Sequence, residues 1–253
     1  FYSFFSAYFT YKIGMKFANR TVGLLALIIL MTTLPFYNFS LQIRGYGLSI
    51  LLNVTLVYYL LSYLSSLNKK DIVKVGFLAC FLFYSIPSNL YFLLSIILVL
   101  GFYILNHKSN LRELLFNKYS FSVYSIVLGT LLTVLLYLPI VNEVFSNEYV
   151  RVGNYFKFSN LKSSVLNVWF VLVYNHWLII LFAIVGFIIG NKFLRKKNIL
   201  ILLSISVIIL PHLIVWVIGQ NAPPRIFTIC LPFVSLFIAI LIFAGWKIFF
   251  PFE

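Results

Sequence analysis

Apolar stretches follow one another along the whole chain, each long enough or nearly long enough to cross a bilayer as a helix. They fall at about 1–15, 21–39, 45–66, 72–87, 89–106, 120–141, 167–190, 199–218 and 226–248, with short polar connections between them. Backbone N–H and C=O groups find no water in hydrocarbon, so a spanning segment satisfies them internally as a helix of about 20 residues. A membrane barrel would show shorter runs alternating between apolar and polar positions, and that alternation is absent from these stretches. The pattern predicts an all-α, polytopic membrane protein with about nine transmembrane helices in a single domain, 1–253. Pro35, Pro87, Pro139 and Pro211 lie in the outer parts of segments, where a missing backbone donor ends or kinks a helix. The first stretch reads as the tail of a span that starts upstream of Phe1, so the chain is expected to be an interior piece of a longer protein. No internal repeat or low-complexity segment is evident.

Composition agrees. Hydrophobic residues make up 62% of the 253 and charged residues 9%, against about 25% charged in soluble domains. The net charge of +14 would suit nucleic acid, but the placement of the charges points elsewhere. Lys12, Lys16 and Arg20 occupy one connection, Lys69, Lys70 and Lys74 another, then Lys108, Arg112 and Lys118, then Lys192, Arg195, Lys196 and Lys197, and finally Lys247. The intervening connections hold Arg44 alone, none near Ser88, Arg151, Lys157 and Lys162, and Arg225 alone. Fourteen cations on one set of connections against five on the other is the positive-inside pattern. The rich side is therefore expected to be cytoplasmic, with anionic lipid headgroups as the partner of most of these cations.

That orientation places Arg44, Arg225 and the long loop 142–166 together on the outer face. Arg44 admits two readings. One is an interfacial arginine that snorkels to headgroups. The other is a phosphate ligand, because guanidinium is planar, permanently charged and fork-shaped, and Gly45 and Gly47 around Tyr46 allow close backbone approach. Arg225, after the stiff pair Pro223-Pro224, carries the same two readings. The loop 142–166 holds Glu143, Glu148 and Arg151 beside Tyr149, Tyr155, Phe156 and Phe158. It reads either as a solvated face or as an interfacial element touching a polar acceptor.

His176 and His212 lie near outer segment ends. They favour packing over a metal site, since zinc takes three or four ligands. No metal site and no certain cofactor is expected. Trp169, Trp177 and Trp216 fit an outer aromatic belt and Trp246 an inner one. Cys80 and Cys230 read as buried apolar thiols.

Three patches resemble one family. The run L-L-A-L-I-I-L-M-T-T-L-P-F-Y-N-F-S-L-Q-I-R-G-Y-G-L-S-I-L-L at 24–52 is similar to bacterial members of the dolichyl-phosphate-mannose protein mannosyltransferase superfamily. These are GT-C fold glycosyltransferases related to the lipid A aminoarabinose transferase, in which an outer-side Arg-x-Tyr precedes a span. Arg44 and Tyr46 match that motif. Y-S-I-P-S-N-L-Y-F at 84–92 resembles the family's tight proline turn. P-P-R-I-F-T-I-C-L-P-F at 223–233 resembles its later proline–arginine approach to a span, with Phe227 where tyrosine is common.

The resemblance implies a GT-C-like fold in a bacterial inner membrane. It implies transfer of a sugar from a polyprenyl-phosphate carrier to a glycan, lipid or protein hydroxyl on the outer face. Arg44, Tyr46 and Arg225 would hold the donor phosphate, and Glu143, Glu148 and Arg151 would lie toward the acceptor. In the family an acid in the first outer loop is the general base. That loop would lie upstream of Phe1, so this piece is expected to lack its catalytic acid and to be inactive alone. Some GT-C enzymes use a divalent cation, for which no ligand cluster stands out here. A transporter or flippase of lipid-linked saccharide is the rival reading. It is disfavoured by the absence of acids in the spans and of a two-fold repeat. A membrane assembly subunit without chemistry is the third.

Overall fold

The computed structural model describes residues 1–40, 45–107, 115–140, 143, 165, 198–219 and 223–249. Among these residues the backbone is helical throughout, without a strand. In chain order the helices are α1 (Tyr2–Phe17), α2 (Arg20–Met31), α3 (Leu34–Ser40), α4 (Tyr46–Ser66), α5 (Lys69–Ser85), α6 (Leu90–His107), α7 (Lys118–Tyr137), α8 (Asn198–Ile218) and α9 (Leu231–Phe249). Short 3₁₀ helices at Pro87–Asn89, Leu138–Ile140 and Pro224–Cys230 precede α6, close α7 and precede α9. Five spans, Tyr46–Ser66, Pro87–Leu105, Lys118–Ile140, Ile199–Ile218 and Arg225–Trp246, are long and apolar enough to cross a bilayer. The predicted stretch 167–190 and loop 144–164 lie outside the described residues.

The helix starts differ by end. At the lysine-rich end, α2, α5 and α7 each open on an asparagine whose Oδ1 accepts first-turn backbone N–H groups. Asn19 caps Val22 at 2.7 Å, Asn68 caps Lys70 at 3.0 Å, and Asn117 caps Tyr119 and Ser120 at 2.8 and 3.0 Å. At the opposite end α4 starts from Gly45, and the 3₁₀ helices that lead into α6 and α9 start at Pro87 and Pro224. There a proline costs no bond, because first-turn N–H groups have no helical acceptor.

Prolines also explain where the observed helices depart from the apolar stretches. The stretch 21–39 is divided at Thr32 and Thr33 into α2 and α3. Pro35 has no N–H for the Met31 carbonyl, and its ring crowds that carbonyl. The Thr33 hydroxyl turns back to the Ile29 carbonyl at 2.8 Å, and the Phe36 N–H bonds to Thr33 O at 3.0 Å. Pro211, by contrast, sits inside an unbroken α8. Its missing N–H would have gone to the Val207 carbonyl. That carbonyl instead accepts the Cys230 thiol at 3.2 Å.

In the bundle, α1 packs on α2 and α4, α4 on α5, α5 on α7, α7 on α6, α6 on α8, α8 on α9, and α9 on α2. Lipid tails are as apolar as leucine, so close packing and interhelical bonds hold helices together more than burial does. Two glycine contacts show this. A Cβ on Gly14 would stand 2.6 Å from Gly23 Cα, so α1 and α2 touch backbone to backbone. Gly129 of α7 lies equally close against the Gly76 carbonyl of α5. Around that contact the Ser125 hydroxyl donates to Ile72 O at 2.7 Å, Thr133 to Cys80 O at 2.8 Å and Tyr137 to Tyr84 O at 2.8 Å. The constant register, every fourth residue on both helices, makes α5 and α7 a parallel pair.

Both cysteines are buried free thiols, as expected. The lysines of separate connections meet at one end of the bundle. Lys16 Nζ donates to Ser62 Oγ at 2.9 Å, Lys118 Nζ to Leu64 O at 2.8 Å, and Lys74 sits 4.3 Å from the Tyr59 ring centroid. All three bind the C-terminal half of α4. Among the described residues, Lys16, Lys74 and Lys118 therefore gather at one end of the bundle and Arg225 lies toward the other.

Candidate functional site

The lysine-poor end is built from the start of α4, the ends of α5 and α7, and the 3₁₀ helices Pro87–Asn89 and Pro224–Cys230. Asn89 is its organiser. It is buried, and its amide nitrogen lies 2.8 Å from Leu82 O, 2.9 Å from Ser49 Oγ and 3.2 Å from Ser85 Oγ. The two serine hydroxyls meet at 3.0 Å. One side chain thus ties the first turn of α4 to the last turn of α5. Gly45 fits beneath this network. A Cβ there would come within 3.2 Å of the Ser85 carbonyl, so glycine lets the chain entering α4 lie against α5.

The second half of this end is Pro224–Cys230, which packs on α3, α4, α8 and α9. It is bounded by Pro223-Pro224 before it and Pro232 after it. The Thr228 hydroxyl closes the turn on the Arg225 carbonyl at 2.8 Å. Phe227 is fully buried and lies flat on His212 of α8, with ring centroids 3.9 Å apart and planes 7° from parallel. Phe227 and Cys230 together lock this segment along α8.

Among the sequence-derived candidates, Tyr46 is the first residue of α4 and Arg225 is the second residue of its 3₁₀ helix, both half-buried. Glu143 is helical and exposed, just beyond the turn that ends α7. Arg44, Glu148 and Arg151 lie outside the described residues, as do His176, Trp169 and Trp177. What the fold brings together is the segment carrying Arg225 and the helices α3 and α4, between which Arg44 falls in sequence. His212 is a buried packing residue on Phe227. Among the described residues no group of three or more His, Cys, Asp or Glu side chains is placed to hold a metal ion.

One residue of this region was not singled out from the sequence. Asn89 was quoted only as part of the proline turn; its signal was a run of Ser85, Ser88 and Asn89 between apolar stretches. Asn53, one turn below Ser49, is fully buried, and among the described residues its amide meets no hydrogen-bond partner. Such an orphaned amide costs about 1–3 kcal/mol; in the sequence Asn53 stands out only as the start of the sequon Asn53-Val54-Thr55, inside a span where glycosylation is implausible.

The composition and these helices define a helical integral membrane protein. Comparison with known proteins finds no matching family model, no matching curated protein and no matching solved structure.

Proposed function

We propose that this chain is the membrane body of a GT-C-type glycosyltransferase. It would use a polyprenyl-phosphate-linked sugar and work at the lysine-poor face, outside a bacterial inner membrane. The observation that carries this reading is the packing of the Arg225 segment on α3 and α4, the two helices that flank Arg44. Arg225 is thus carried by a segment that packs on the two helices between which Arg44 falls in sequence, at the end where lysines are scarce among the described residues. A phosphate held between Arg44 and Arg225 would gain charge-assisted bonds in a partly dry environment.

The chemistry is the one that the family resemblance implies. An acceptor hydroxyl attacks the anomeric carbon, the bond from that carbon to the phosphate oxygen breaks, and the configuration inverts. Charge then grows on the departing lipid phosphate, where arginine side chains stabilise it most. Tyr46, one turn above the Asn89 network, would position the donor. No residue of this chain is assigned as the base that takes the acceptor proton.

The test is binding of undecaprenyl phosphate to the purified chain. Arg44→Ala and Arg225→Ala are each expected to weaken it at least tenfold, as loss of a charge-assisted contact does. Unchanged affinity in both variants would remove the assignment.

A further inference from the structure

The α5–α7 seam opens at its surface as a cleft of about 660 Å³. That is the size of a ligand pocket. Its floor is the close Gly76–Gly129 contact, where the two helix backbones meet. Its walls are large exposed apolar residues, Val73 and Phe77 on α5 and Phe121, Leu128 and Leu132 on α7. At one end it reaches Lys69, and there it adjoins a second cleft of about 570 Å³ lined in part by Asn117 and Lys118. Tyr63, Leu67 and Phe121 line both, so the two are continuous.

The polarity and length of this cleft select one occupant. From Lys69 to Phe77 is about 12 Å of helix, and from Phe121 to Leu132 roughly 16 Å, at about 1.5 Å per residue. The hydrocarbon core is about 30 Å thick, so the apolar trough has the depth of one leaflet. Its mouth carries ammonium groups. Lys118 places one donor on Leu64 O and has three to offer. Lys69, the first residue of α5, lines the adjoining cleft. We infer that the α5–α7 cleft is a site for an anionic phospholipid of the lysine-side leaflet, with its phosphate between Lys69 and Lys118 and an acyl chain lying over Gly76 and Gly129. The inference is independent of the glycosyltransferase reading, which concerns the opposite end of the bundle.

Native mass spectrometry of the full chain tests it, with dioleoylphosphatidylglycerol and dioleoylphosphatidylcholine as probes. The wild type is expected to retain the anionic lipid in preference to the zwitterionic one. Lys69→Gln should lower that retention about fivefold, the effect of one lysine near an anionic surface. Lys12→Gln, on α1 and away from the cleft, should leave it unchanged. Leu128→Trp, which fills the trough without touching a cation, should also displace the lipid. Equal retention of the two lipids by the wild type would overturn the site. So would an equal loss in Lys69→Gln and Lys12→Gln, or undiminished binding in Leu128→Trp.

Discussion

The Cys230 thiol donates to the Val207 carbonyl at 3.2 Å, and Val207 is the residue whose helical donor Pro211 removes. A side chain from the next segment thereby completes the hydrogen bonding of a proline-containing span. Hydrocarbon leaves a freed carbonyl no water to turn to, so a neighbouring segment must supply the donor. The same contact fastens the Arg225 segment to α8.

This pairing predicts a coupled result. Cys230→Val should lower stability by about 1 kcal/mol, the cost of a buried carbonyl left unsatisfied. In a Pro211→Ala background the helix supplies its own N–H to Val207, and the cost of Cys230→Val should vanish. Thermal unfolding in detergent of the four proteins gives the cycle. Equal costs in both backgrounds would mean that the thiol does not serve Val207.

Glycine contacts should respond in opposite directions at two sites. A Cβ on Gly129 meets the Gly76 backbone, whereas one on Gly101 meets nothing within 4 Å. Gly129→Ala must part α5 from α7 and is expected to cost about 1–3 kcal/mol. Gly101→Ala removes only backbone freedom within a helix and should stabilise by about 0.5–1 kcal/mol. The same unfolding assay reads both.

Asn89→Leu should be among the more damaging single changes at the lysine-poor end. It removes the amide whose two hydrogens serve Leu82 O and the paired Ser49 and Ser85 hydroxyls, and the predicted loss is roughly 2 kcal/mol. Polyprenyl-phosphate affinity should fall with it, because the start of α4 loses its tie to α5. A variant of wild-type stability would show that the network does not hold the two helices.

Topology is open to thiol labelling, since Cys80 and Cys230 are buried. Lys70→Cys and Phe116→Cys should react with a membrane-impermeant maleimide from one side of sealed vesicles. Ser88→Cys and Leu138→Cys should react only from the other. Labelling of Lys70→Cys and Ser88→Cys from the same side would contradict the fold.

Much of the helical layout was legible because lipid enforces it. Long apolar runs gave α4, α6, α7 and α8 to within a few residues, and the alternation of lysines anticipated the end at which Lys16, Lys74 and Lys118 gather. Proline effects were only half legible. Pro35 divides a stretch, while Pro211 does not, and the difference lies in whether a distant residue, Cys230, meets the freed carbonyl. The small-residue spacing Ser125, Gly129, Thr133 against Gly76 and Cys80 was present in the sequence. Nothing local says that these two helices meet, because α6 lies between them in the chain. At the candidate site, Arg225 and Tyr46 stood out as polar residues at span ends, but Asn89 became visible only when Ser49 and Ser85 converged on it.

The most direct test of the central claim uses the natural full-length protein in sealed vesicles. The donor is a polyprenyl-phosphate sugar labelled in the sugar, and a cell-envelope extract supplies the acceptor. The account predicts a new labelled glycoside together with stoichiometric free polyprenyl phosphate, both lost in Arg44→Ala. Labelled donor that crosses the bilayer with its sugar–phosphate bond intact, and with no new glycoside, would contradict it and identify a transporter.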